Sequence, residues 1–361
     1  MFAGYCRRYP FGILSGVFLL NKLSLRTSSG TFSHFSLLGS QTPNNEKSLR
    51  GFSGGFGGKS SLKEFPPTIL DKTQGGAYMI KIFSDSTCDL SDELLERYDI
   101  TLLSLYIILG EQQYKDRVNI TPQDIFKWSD EHKTTPKTSA ASLEDIVEKM
   151  KPVLDAGDEI IAFSISQEMS NMGNVIRLAA QSLDAQDRVH YIDSRNLSTG
   201  IGHLVIEAAE MAREGLTAQQ IVEKINALIP RVRASFVVDT LTYLHRGGRC
   251  GGLAALAGSV LRLHPKIHVK DGVMGAGKKY RGKYSDIILN YAKEMESELL
   301  RAKPDRVFVT HPPCDQAVVD AVCSYLKGLG HFKEVLDTEA GGVISSHCGP
   351  GTLGVLYIEG E

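Results

Sequence analysis

The chain has 361 residues, 42% of them hydrophobic and 23% charged, enough to bury one large core or two modest ones, and the usual length of a domain favours two. Its formal net charge of -2, without a long run of Lys or Arg, gives no electrostatic footprint for nucleic acid and points instead to a small-molecule or protein partner. Cys6, Cys88, Cys250, Cys314, Cys323 and Cys348 lie far apart with no C-x-x-C pair, which argues against a zinc site or a redox dithiol and suits a reducing cytosol.

Residues 1 to 78 differ in composition from the remainder of the chain. From Met1 to Asn45 there is no Asp or Glu, Arg7, Arg8, Lys22 and Arg26 supply positive charge, and Ser and Gly dominate after Thr27. The apolar stretch from Phe11 to Leu20 resembles the core of a signal peptide but is too short to span a bilayer, and an acid-poor, Arg- and Ser-rich segment also fits an organellar presequence. Met79-Ile-Lys-Ile-Phe-Ser starts like the first strand of a cytosolic domain. We therefore expect residues 1–78 to be a disordered leader or an extension from a start codon placed too early, with the Gly- and Ser-rich residues 51 to 61 unable to build a core.

From Met79 onward, short apolar β-branched runs alternate with helix-period segments, the pattern of an α/β protein with largely parallel sheets and crossover helices. Ile80 to Phe83 reads as a strand ending at Ser84-Asp-Ser-Thr87, and Ser91 caps a helix whose Leu94, Leu95 and Tyr98 share a face. Thr101 to Leu109 reads as a second strand. Thr121-Pro122 opens a helix with the hydroxyl as cap and proline at its first position, supported by Asp124. The polar loop from Thr134 to Ser142 leads to a helix carrying Ile146, Val147 and Met150. Glu159 to Ser166 is a strand running into Gln167-Glu-Met-Ser170, followed by a helix with Val175, Ile176 and Ala179. Loops at the carboxyl ends of parallel strands gather on one edge, where ligands bind. Those after Ser84, Ser166 and Ser194 carry hydroxyls, and the Thr138 loop is able to reach the same edge. Helices from Ser198 to Glu214 and Thr217 to Leu228 precede the strand Ala234 to Val238. The expected domains are 79–233 and 234–361. The second holds a Gly-rich turn from His245 to Gly252, an apolar helix from Leu253 to Leu263, a hairpin at Asp271-Gly272, a long helix from Ser285 to Ala302, the strand Arg306 to Thr310, a helix from Gln316 to Lys327 and a closing strand from Gly354 to Ile358.

Four residues stand out as chemistry rather than scaffold: Thr138 in its loop, Ser170 at a strand-to-helix turn, Arg249 in the Gly-rich turn and His347 beside a second Gly-rich turn. Hydroxyls, a guanidinium and an imidazole are hydrogen-bond donors to a carboxylate or phosphate, and a turn at a helix start adds oriented backbone N–H groups. Taken singly each has a bland explanation, a helix cap, a turn residue or an ordinary loop histidine. Neither Gly-rich turn has the spacing of a Walker loop or a G-x-G-x-x-G dinucleotide turn.

The segments Ser84-Asp-Ser-Thr-Cys-Asp-Leu90, Pro136-Lys-Thr-Ser139, Ile165-Ser-Gln-Glu-Met-Ser170, Ile192-Asp-Ser194, Val238-Asp-Thr-Leu-Thr-Tyr-Leu-His-Arg-Gly-Gly-Arg249 and His347-Cys-Gly-Pro-Gly-Thr-Leu-Gly354 resemble, in order and approximate spacing, the motifs of the DegV family. The likeness covers residues 79 to 361. It implies two α/β domains with a lipid site between them, and binding of a long-chain fatty acid whose carboxylate is presented to a separate fatty acid kinase for acyl phosphate formation in phospholipid synthesis. No cofactor is implied, the chain itself is expected not to be an enzyme, the location is cytoplasmic, and transient membrane contact is compatible. The family's carboxylate-holding threonine, serine and histidine fall on Thr138, Ser170 and His347, and its arginine, at the site or at a kinase-facing rim, falls on Arg249. Two positions depart from the pattern: Ser170-Asn-Met172 replaces the usual Ser-Gly-Ser/Thr, and Ala-Ala follows Thr138-Ser139 where Gln-Pro is usual. A tail of about sixteen carbons, at about 0.8 kcal/mol per methylene, gives on the order of 12 kcal/mol gross, so the tail must supply most of the affinity and needs an apolar wall. Candidates for that wall are Leu253, Leu256, Val260, Leu261 and Leu263. Two alternatives remain: a serine hydrolase using Ser170, His347 and either Asp193 or Asp239, which lacks the G-x-S-x-G elbow, and a binding protein for another anionic metabolite.

Overall fold

The structure, a computed structural model, describes residues 79–248 and 263–361. The first half runs β1 (Ile80–Asp85), α1 (Asp92–Tyr98), β2 (Ile100–Leu103), β3 (Tyr106–Leu109), β4 (Gln112–Lys115), α2 (Pro122–His132), β5 (Lys137–Ser139), α3 (Leu143–Asp155), β6 (Glu159–Ser164), α4 (Met172–Ser182), β7 (Val189–Asp193), α5 (Thr199–Arg213) and α6 (Ala218–Leu228). Strands β2-β1-β6-β7 form an all-parallel sheet, and β4-β3-β5 a small antiparallel one. Both faces of the parallel sheet are covered. Ile82, Ile161 and Phe163 pack toward α5, whereas Phe83, Ile160 and Ala162 pack in the core that holds α3 and α4, which is why these strands read as continuous apolar runs. Ser91, Thr121 and Ser142 accept backbone N–H groups at the starts of α1, α2 and α3, and Thr121 forms a full capping box with Asp124, as their positions in the sequence predict.

The second half continues with β8 (Val232–Val237), α7 (Thr242–Arg246), β9 (His264–Lys270), β10 (Val273–Tyr280), α8 (Tyr284–Glu294), α9 (Glu296–Leu299), β11 (Arg306–His311), α10 (Gln316–Gly328), β12 (Glu334–Glu339), α11 (Gly342–Cys348) and β13 (Leu353–Ile358). Its six strands lie in the order β10-β9-β8-β13-β11-β12. Of these pairings β11 with β12 is parallel and the rest are antiparallel, so the α/β class holds but the expectation of largely parallel sheets fails here. Hairpin β9–β10 and the insertion of β13 between β8 and β11 make the sheet mixed. Helices α8 and α10 cover one face through Ile288, Tyr291, Val319 and Val322, and α5 lies against the other. Every residue of α5 from Thr199 to Ala209 is buried, because the helix packs on both sheets and has no solvent stripe. Each fully buried Ile, Leu or Val there contributes roughly 1.5–3 kcal/mol.

Other boundaries also differ from the sequence reading. The run from Thr101 to Leu109 is two strands in different sheets, with a break at Ser104 and Leu105 that no Gly or Pro marks. The expected long helix from Ser285 is interrupted at Met295. Within the Thr134–Ser142 loop, Lys137–Ser139 is a strand paired with β3. His347, read as lying beside a second Gly-rich turn, belongs to α11 (Gly342–Cys348). Among the described residues no helix is long and apolar enough to cross a membrane.

Candidate functional site

Thr138, Ser170 and His347 converge on one cavity of about 400 Å³. Each is brought by a different device. Strand β5 alternates, with Lys137 and Ser139 exposed and Thr138 half-buried between them, so its side chain faces inward. Ser170 closes a turn in which its N–H donates to the Ser166 carbonyl at 3.1 Å, and its Oγ accepts the Met172 N–H at the start of α4 at 3.3 Å. The hydroxyl hydrogen of Ser170 is thereby left for a further acceptor. His347 sits in the last turn of α11, and its Nε2 is 2.8 Å from Thr138 Oγ1.

The rest of the cavity is lined largely by apolar side chains, among them Ile165, Leu197, Leu244, Met274 and Ile344. Loops of the first half and elements of the second both contribute. Met274 is delivered by hairpin β9–β10, whose turn residues Asp271 and Gly272 both have positive φ, the geometry that suits a two-residue hairpin. That turn is anchored across the halves: Ser166 Oγ donates to the Gly272 carbonyl at 2.7 Å and Arg195 donates to the Asp271 carbonyl at 3.1 Å. A Cβ at Gly272 would lie 2.7 Å from Ser166 Oγ, so the close approach needs glycine.

Three fully buried carboxylates underlie the cavity, and the sequence reading missed what they do. Asp85 accepts the N–H of Ile165 at 2.8 Å and of Thr87 at 3.1 Å. Asp89 accepts Gly341 N–H at 2.8 Å and the Ser198 hydroxyl at 2.6 Å. Asp116 accepts Gly342 N–H at 2.7 Å and the Ser86 hydroxyl at 2.7 Å. Burial pushes Asp85 up to about 6 and Asp89 up to about 7, against the lowering effect of these donors, and it raises Asp116 as well. The signal available in the sequence was the pair of acids in Ser84-Asp-Ser-Thr-Cys-Asp-Leu90, directly after an apolar strand.

The cavity is thus lined mainly by apolar side chains, with an imidazole and two hydroxyls exposed to it. The family model described as an uncharacterised protein of the DegV family matches residues 79–360. The chain belongs to the DegV family. A DegV domain-containing protein of Deinococcus radiodurans is 32% identical over 278 residues, covering 76% of this chain and 97% of that protein. The solved structure of a DegV family protein from Thermus thermophilus, described for its fatty acid binding, has a TM-score of 0.72 at 31% identity, with 78% of this chain and 99% of that one covered. A stearic acid-binding protein from Eubacterium ventriosum has a TM-score of 0.69 at 28% identity, covering 78% and 98%.

Against the expectations for a DegV protein, Arg249 and the wall candidates Leu253, Leu256, Val260 and Leu261 lie outside the described residues. Leu263, just before β9, does not line the cavity. Ser84, Ser166 and Ser194 use their hydroxyls on the carbonyls of Asp85, Gly272 and Asn196, so they serve the scaffold. The acids weighed for a hydrolase are engaged elsewhere. Asp193 accepts the backbone N–H groups of Gln167 and Arg195, and Asp239 faces His264 at 3.2 Å. In place of the Ser170–His347 pair that a hydrolase needs, His347 pairs with Thr138.

Proposed function

We propose that this chain binds a long-chain fatty acid, with its carboxylate held by Thr138, Ser170 and His347 and its tail in the apolar part of the cavity between residues 79–233 and 234–361. The observation that carries the reading is the 2.8 Å approach of His347 Nε2 to Thr138 Oγ1 at a mostly apolar cavity that Ser170 also lines. A carboxylate inserted there exchanges that contact for donors of its own, which a buried anion requires. At about 400 Å³ the cavity is within the range of small-molecule sites, roughly 300–1,000 Å³. The family's solved members described as fatty-acid binding support the ligand class.

The same reading makes the chain a carrier that presents the carboxylate to a separate fatty acid kinase for phospholipid synthesis in the cytoplasm, with no chemistry of its own and only transient membrane contact. Arg249 is assigned to the site or to the kinase-facing rim on the family resemblance. Native mass spectrometry of the purified chain is expected to show an added mass of a long-chain carboxylic acid. Acyl phosphate is expected only when a fatty acid kinase and ATP are both added. Protein that carries no lipid and takes none up from added palmitate overturns the ligand class. Ester turnover lost in Ser170→Ala would favour the hydrolase.

A further inference from the structure

Helix α11 has only seven residues, too few to hold itself in water, yet it carries the imidazole that faces Thr138. Its start is fixed from outside. Asp89, from the loop after β1, accepts Gly341 N–H, and Asp116, from the loop after β4, accepts Gly342 N–H, at 2.8 and 2.7 Å. Both carboxylates are fully buried and each is held in turn by a serine hydroxyl, Ser198 for Asp89 and Ser86 for Asp116. The fit is close: a Cβ at Gly341 would lie 3.3 Å from both carboxylates, and one at Gly342 would lie 2.5 Å from Ile107 Cδ1. Burying two neighbouring carboxylates is costly, and a neutral cap would satisfy the same N–H groups. The two bonds link two loops of the first half to the helix whose last turn presents His347.

We propose that Asp89 and Asp116 are positioning residues for the fatty acid head group, acting through α11 to set His347 against Thr138. The inference rests on the reading of Thr138, Ser170 and His347 as the carboxylate site. The segment from the end of β1 to Leu90 then serves both sides of that site, because Asp85 holds the Ile165 N–H ahead of the turn that carries Ser170, while Asp89 holds the helix that carries His347.

The test is a double-mutant cycle on palmitate affinity measured by titration of the delipidated full chain. Asp116→Ala is expected to weaken binding about tenfold, and Asp116→Asn, which keeps an acceptor for Gly342 N–H and a group to pair with Ser86, to stay within about twofold of the parent. In a His347→Gln background, Asp116→Ala is expected to cost less than about twofold more, since the residue it positions is gone. Equal losses in the two backgrounds would mean a general packing role and overturn the proposal, as would an unchanged affinity in Asp116→Ala. If Asp116→Ala does not fold, Ser198→Ala, which removes only the hydroxyl holding Asp89, replaces it in the same cycle with an expected loss of about threefold confined to the His347 background. An absence of effect from Thr138→Ala, Ser170→Ala and His347→Gln would instead overturn the assignment of the carboxylate site.

Discussion

Thr138 and Ser170 differ in what each would give up to a carboxylate bound as proposed. Thr138 Oγ1 already shares a hydrogen with His347 Nε2, whereas Ser170 accepts from Met172 N–H and keeps its own hydrogen to donate. Removing either hydroxyl deletes a bond to a charged acceptor worth about 1.5–3 kcal/mol. Thr138→Ala and Ser170→Ala are each expected to weaken fatty acid binding by roughly ten- to a hundredfold, measured by titration, with the melting temperature of the lipid-free protein little changed for Thr138→Ala. Ser170→Ala is expected to melt slightly lower, because the first N–H of α4 loses its acceptor. Gly349 is constrained differently. At the end of α11 its φ is +79°, and a Cβ there would meet the Tyr243 ring at 2.6 Å. Gly349→Ala is expected to cost about 1–3 kcal/mol in chemical denaturation, from backbone strain together with the clash.

At the scale of the element, the helices that were legible in the sequence carry their own instructions. Ser91, Thr121 and Ser142 stand immediately before the helices they cap, and the order of short motifs was enough to single out Thr138, Ser170 and His347 together. Helix α11 was not legible, because what caps it lies far away in the chain: 252 positions separate Asp89 from Gly341. The break between β2 and β3 was hidden for a related reason, since an apolar run interrupted only by Ser104 does not say which of two sheets receives each part. Buried acids of this kind also give a pH signature. The folded-state value of Asp89, about 7, lies above its ordinary 3.8, so the folded protein binds the extra proton and the associated stability is present at low pH and lost as pH rises from about 4 to 7. Asn at this position has no charge to bury and can still accept from Gly341. Asp89→Asn is therefore expected to match the parent near pH 4 and to exceed it increasingly toward pH 8, by on the order of 2–4 kcal/mol. Denaturant titrations of both proteins across that range check the sign.

For the whole molecule, the relatives matched by about three quarters of this chain are themselves covered almost end to end, so residues 79–361 span the length of those family members. A chain starting at Met79 is expected to melt within about 3 °C of the full chain and to bind palmitate equally well, checked by scanning calorimetry and titration. A shift equivalent to more than about 1 kcal/mol would mean that residues 1–78 contribute to the folded unit. The walls of the cavity come from β5 and from loops of the parallel sheet on one side and from α7, β10 and α11 on the other, so a ligand of the proposed kind would act as mortar between the two halves. Mass action then ties thermal resistance to occupancy, about 2.7 kcal/mol when free ligand is at a hundred times its dissociation constant. If the proposed ligand is right, the lipid-free chain is expected to be cleaved faster by an added protease than the chain loaded with palmitate, and an equal rate for the two forms would mean that the cavity contents do not join the halves.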